Sequence, residues 1–124
     1  MSAKKLRVLV CGGRDFNDVD AFLDVWALVT QDCTIGTVIE GGADGADNLA
    51  RLWARDNNYT LETYQADWHE YGASAGPIRN AEMLKKGMPD LVVAFPGGTA
   101  NMVKQAKAAG VEVREFRWGL VEIK

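Results

Sequence analysis

Three glycine pairs stand at the ends of apolar runs in this chain: Gly12-Gly13 after LRVLVC, Gly41-Gly42 with Gly45 after TVIE, and Gly97-Gly98 after DLVVAF. Glycine admits positive φ and lets a ligand approach the main chain where a Cβ would block it. A helix that follows such a turn opens with unpaired N–H groups. Loops of this kind cradle anions, phosphate above all. Tight strand-to-helix turns also need glycine for backbone reasons alone, so a single pair carries little weight, and three pairs on one edge of a sheet carry more.

Charged and aromatic residues gather around the same turns. Arg14 directly follows the first pair, and Arg79-Asn80 falls in the first turn of an expected helix, where a cation opposes the helix dipole unless an anion lies nearby. A bound phosphate would remove that conflict, as would pairing of Arg79 with a carboxylate such as Glu82. Asp15, Asp44 and Asp47 are placed to meet ribose hydroxyls or to cap a helix. Capping suits Asp44, whereas Asp47, slightly inside the second helix, is the better ligand candidate. Trp68, Tyr71 and the single histidine, His69, precede Pro77 in a polar, aromatic loop. An aromatic ring there either stacks on a base or lids the core. The candidate ligand-binding set is therefore Gly12, Gly13, Arg14, Asp15, Gly41, Gly42, Gly45, Asp47, Trp68, Arg79, Asn80, Gly97, Gly98 and Thr99, with no residue assigned as catalytic or metal-ligating.

These residues need a scaffold that brings separate loops together. Leu6 to Cys11 reads as a strand buried on both faces, followed by a helix from Val19 with Phe22, Leu23, Trp26 and Val29 inward and Asn17 or Asp18 as its cap. The pattern repeats with a strand at Thr37–Glu40 and a helix from Gly45 to Asp56 that presents Ala46, Leu49, Ala50 and Trp53. A third strand at Leu61–Tyr64 follows, then a helix that starts at Pro77 and ends near Gly87, and a buried strand at Asp90–Phe95. Thr99 is the expected cap of a helix with Met102, Val103 and Ala106 inward and Gly110 as its stop; strands at Val111–Glu115 and Leu120–Ile123 complete the chain. Alternating strands and helices imply right-handed crossovers and a doubly wound, Rossmann-like, mostly parallel sheet with helices on both faces. In such sheets ligands settle at the carboxyl edge where the strand order reverses, so the glycine turns are expected to converge.

At 124 residues, 48% hydrophobic and 25% charged, residues 1–124 read as one domain without repeats or linkers. A net charge of −3 with scattered basic residues gives no field for a nucleic-acid polymer. Cys11 and Cys33 lack CxxC spacing and partner histidines, so both are expected as reduced thiols, with no disulfide, metal or cofactor. No run of 18 apolar residues and no signal-like N-terminus are present, which points to a cytoplasmic protein without a membrane partner. Four tryptophans on a small domain make a homodimer plausible.

The segments GGRDF (12–16), GGADGAD (41–47), ADWHEYGASAGPIRN (66–80) and FPGG (95–98) followed by TANM together resemble the SLOG superfamily, especially its YspA or cpYpsA-related branch. The resemblance implies a Rossmann-like fold, a nucleotide or nucleotide-derived ligand, a site built from the second and fourth loops with Arg79-Asn80, and frequent homo-oligomers. Its distant relatives, the Lonely Guy phosphoribohydrolases, carry PGGxGTxxE with a catalytic glutamate. Here Gly98 runs directly into Thr99 and Met102 stands three residues on, so that role does not carry over. Two functions follow. The first is binding of a nucleotide-like small molecule to sense, carry or sequester it. The alternative is hydrolysis of an N-glycosidic or phosphoester bond, with Asp47 or Asp15 as the carboxylate and Arg79 holding the phosphate. Glu40 at a strand end suggests a dinucleotide-dependent dehydrogenase, but the first turn lacks G-x-G-x-x-G.

Overall fold

A computed structural model describes residues 4–119 and 121–123. The chain forms β1 (Lys5–Cys11), α1 (Val19–Asp32), β2 (Thr34–Glu40), α2 (Ala46–Asp56), β3 (Thr60–Thr63), α3 (Trp68–Tyr71), a 3-10 turn (Gly72–Ser74), α4 (Ala75–Gly87), β4 (Leu91–Ala94), α5 (Ala100–Ala108), β5 (Glu112–Arg117) and β6 (Val121–Ile123). The sheet order is β3-β2-β1-β4-β5-β6. The first five strands run parallel, and β6 pairs antiparallel with β5. Winding proceeds outward from β1 to β3, then returns to β4 and proceeds the other way. The loops after β1 and β4 therefore part at the carboxyl edge and leave a crevice between them.

Side-chain alternation along the strands builds two cores. Val8 and Val10 of β1 and Leu91 and Val93 of β4 face α1 and α2, where Phe22, Val25, Trp26, Val29, Ala46, Ala50 and Ala54 are buried. Leu9, Val92 and Ile39 face the other way, onto Met83 of α4 and Met102 and Ala106 of α5. Helices on both faces leave no face of β1 or β4 for water, which is why those two strands read as unbroken apolar runs.

Several boundaries and faces differ from expectation, each for a local reason. In α1 the inward stripe is Phe22, Val25, Trp26 and Val29, while Leu23, one residue round the helix from Phe22, is 43% exposed. In α2 the small residues Ala46, Ala50 and Ala54 meet the sheet, and Leu49 and Trp53 pack half-buried at its margin. Strand β2 begins at Thr34, because pairing with β1 across an irregularity at Leu6/Arg7 carries it through Gly36, which reads locally as a turn residue. Helix α4 begins at Ala75, so Pro77 is its third residue, still within the first turn where a missing N–H leaves no bond unmade. The loop before it contains α3 and the 3-10 turn. Asp18 caps α1 by accepting from Ala21 N, and Gly110, at φ 76°, follows α5 as expected. Thr99 stands at the N-cap of α5 without a side-chain capping bond; only its carbonyl is used, by Val103 N. Of the last expected strand, Leu120 lies outside the described residues. No helix among the described residues is long and apolar enough to cross a membrane.

Candidate functional site

One glycine ties three loops together. Gly13 N donates to Pro96 O at 2.9 Å, joining the turn after β1 to the turn after β4, and Gly13 O accepts from Phe16 N at 3.1 Å and from Ala46 N at 3.3 Å. This packing leaves no room for side chains. A Cβ on Gly13 would lie 2.9 Å from Pro96 O, and one on Gly45, whose φ is 74°, would lie 2.1 Å from Gly13 O. Part of the glycine content is thus dictated by loop meeting loop. Gly98 differs: its φ is 56° and a Cβ there would face open space.

Between the loops lies a cavity of about 620 Å³, within the range of small-molecule sites. Of the residues singled out in the sequence, Gly12, Gly13, Arg14, Asp15, Asp47, Trp68, Arg79, Asn80, Gly97 and Gly98 line it. Gly41 and Gly42 line an adjoining polar depression of about 200 Å³ that shares Arg14, Trp68 and Arg79 with the main cavity. Gly45 and Thr99 line neither of these two.

The arginines of the crevice have unusual surroundings. Arg79 Nη1 donates to Gly41 O at 2.6 Å and its Nε to Asn80 Oδ1 at 2.9 Å, while Asn80 Nδ2 donates to Asn101 Oδ1 in the first turn of α5 at 3.1 Å. The expected alternative pairing with Glu82 does not form; Glu82 accepts from Lys86, one helical turn on. The Arg14 guanidinium lies over the Trp68 ring, 5.1 Å from its centroid. Among the described residues neither arginine has a carboxylate within ion-pair distance. Arg7, Arg51 and Arg114, by contrast, are each matched to a glutamate.

Main-chain donors are distributed differently from expectation. In the second loop Asp47 Oδ2 accepts from Gly41 N at 3.0 Å and Ala43 N at 3.4 Å, and Glu40 Oε1 accepts from Gly42 N at 2.8 Å. The protein's own carboxylates therefore occupy the donors that the sequence suggested for an anion at Gly41-Gly42. Glu40 is fully buried and also accepts from Arg51 Nη1 at 2.9 Å and from the Thr63 hydroxyl. In the fourth loop the amides of Gly98, Thr99, Ala100 and Asn101 meet no acceptor among the described residues, as the opening of a helix requires. The open donors thus lie at α5, on the same edge as Arg14 and Arg79.

Asp47 is 5% exposed, and burial, followed by the charge of Glu40, raises its pKa to about 6; Arg79 and the amides of Ala43 and Gly41 pull the other way. Burial first, then the Asp47 charge, pushes the Cys11 thiol well above its ordinary value, so the cavity floor carries a neutral thiol with little nucleophilic character. Asp44 is exposed and does not cap α2, whose N-cap is Gly45 without a side-chain bond. No group of three His, Cys, Asp or Glu side chains among the described residues could hold a metal ion.

Several cavity residues escaped the candidate set, Asn101 and Trp118 among them. Trp118, in the turn after β5, lines the crevice and packs against Phe16 with ring centroids 5.8 Å apart. Its position just past the carboxyl end of a parallel strand was the available signal.

Residues 6–71, from β1 through α3, match the family described as YspA, cpYpsA-related SLOG family. The chain is also similar to the Gene 61 protein of Mycobacterium phage D29, 37% identical over 120 residues that cover 89% of this chain and 95% of that protein. No solved structure gives a significant match. The matched segment carries the first two glycine turns, Asp47 and Trp68 on a sheet whose order reverses beside them, and the chain belongs to the YspA, cpYpsA-related SLOG family.

Proposed function

We propose that the chain binds a nucleotide or nucleotide-derived small molecule at the carboxyl edge of its sheet, to sense, carry or sequester it. The phosphate sits at the open amides of α5, between Arg14 and Arg79. The observation that carries this reading is the pair of crevice arginines with no carboxylate in ion-pair contact among the described residues, set beside a helix start whose amides meet no acceptor among them. Such a constellation favours a compact anion through charge-assisted hydrogen bonds and the helix dipole together. The Asn80–Asn101 hydrogen bond supports it by holding the second turn of α4 against the first turn of α5. Family membership supports the nucleotide class. Titration calorimetry against ribose 5-phosphate, nucleoside mono- and diphosphates, nucleotide sugars and ADP-ribose tests the reading. At least one phosphate ligand should bind, and Arg79→Ala should weaken it about tenfold or more, the loss expected for a charge-assisted contact of about 1.5–3 kcal/mol. Uniform silence across that panel would refute the proposal.

The Asp47 carboxyl favours a second reading, hydrolysis of an N-glycosidic or phosphoester bond. Its pKa of about 6 suits a group that gives up or takes a proton near neutrality, and it lines the same cavity. Prolonged incubation of concentrated protein with nucleoside monophosphates, followed by chromatography, decides it. Absence of free base, nucleoside and ribose 5-phosphate ends this reading and leaves binding.

A further inference from the structure

We propose that Trp118 stacks on the base of the bound ligand, so that the crevice takes a nucleotide with a planar aromatic base in preference to a bare sugar phosphate. The assignment rests on the phosphate reading of the same crevice. It starts from two kinds of side chain in the cavity lining. Arg14 and Arg79 are cationic and also line the polar depression at Gly41-Gly42. Trp118 is aromatic and is set on Phe16.

Trp118 covers one side of the core without being buried itself. Beneath it Phe16 is 1% exposed and packs on Phe95 at 5.2 Å, which in turn stacks on Phe22 at 5.0 Å. Trp118 itself is 63% exposed, with Phe16 as its one aromatic neighbour among the described residues. The indole thus presents open aromatic surface to the cavity, held from behind by a ring that cannot move without disturbing the core.

Trp68, the aromatic singled out from the sequence, is placed for a different task. The Arg14 guanidinium lies over its ring, and Gly76 of α4 lies against it, where an added Cβ would make ordinary van der Waals contact at 3.5 Å from its Cη2. With a cation on the ring and a helix against its edge, Trp68 is a positioning residue that holds Arg14 toward the anion. The two indoles therefore make separable contributions: Trp118 acts on the base, Trp68 on the phosphate.

The experiment compares nucleoside monophosphates with ribose 5-phosphate by calorimetry on the full chain and on Trp118→Ala, Trp118→Phe and Trp68→Ala. Stacking on an indole should give the wild type about a 5- to 150-fold preference for the nucleotide. Trp118→Ala should erase that preference and leave ribose 5-phosphate within about twofold, since the phosphate contacts are untouched. Trp118→Phe should keep most of it, and Trp68→Ala should weaken both ligands in parallel. A preference that survives in Trp118→Ala overturns the assignment. Ribose 5-phosphate binding as well as any nucleotide also overturns it, while sparing the phosphate site. Binding of neither removes both.

Discussion

Replacing Asp47 with asparagine should remove a pH dependence of folding that arises at one buried carboxyl. Asp47 is 5% exposed, faces the charge of Glu40, and has a pKa of about 6 against an ordinary 3.8. The folded state therefore holds this proton more tightly than the unfolded chain. The stability it contributes is fully present below 3.8, falls as the pH rises toward 6, and is gone above that value. At about 1.36 kcal/mol per unit of pKa difference the change amounts to about 3 kcal/mol. The asparagine would not titrate, yet its side-chain oxygen could still accept from Gly41 N, so the second loop should keep its shape. Urea unfolding of both proteins from about pH 4 to about pH 7.5 isolates the effect of Asp47 and its coupling to Glu40, because carboxyls that do not interact with Asp47 cancel in the difference. Asp90 is one of these, its pKa lowered chiefly by the hydrogen bond from Arg7 N. Because the unfolded carboxyl is already partly ionised at about pH 4, the variant should gain on the wild type by about 2.4 kcal/mol across that range. A flat difference, or a wild type that gains as pH rises, would refute the reasoning: the amides of Gly41 and Ala43 would then stabilise the carboxylate more than burial opposes it.

The remaining expectations concern packing and charge. Gly45→Ala should cost about 3–5 kcal/mol, because a Cβ there meets Gly13 O in a conformation that side chains rarely adopt, whereas Gly98→Ala, which faces open space, should cost only about 1–2 kcal/mol for its left-handed backbone. Equal midpoints in denaturant would contradict the close approach of the two loops. Arg51→Ala strips the cation from the fully buried Glu40 and should cost about 3–5 kcal/mol, while Lys86→Ala, which breaks an exposed pair on α4, should cost less than about 0.5 kcal/mol; thermal or chemical unfolding of the two variants checks the contrast.

Much of the architecture was legible in the chain because it is written in local patterns. LRVLVC and DLVVAF are apolar throughout since β1 and β4 are covered on both faces, and Asp18 and Gly110 mark helix ends through preferences of their own backbones. Alternation of strand and helix pointed to a doubly wound sheet, whereas the place where its order reverses, between β1 and β4 beside Gly12-Gly13 and Gly97-Gly98, is a feature of the tertiary structure. What each polar group does in the crevice was not legible, because it depends on partners that folding brings from elsewhere. Gly41 and Gly42 look like free donors until Asp47 and Glu40 turn back upon them, and nothing near Arg79 in the chain announces that Gly41 O, 38 residues away, accepts from it. Trp118 reads as a turn residue near the end of the chain, and only the neighbouring position of β5 beside β4 delivers it to the cavity. Strand and helix identity is set by each residue's immediate neighbours along the chain. Whether a donor is open or satisfied, and whether an aromatic is core or crevice, is set by neighbours in space, and a one-dimensional pattern holds no record of those.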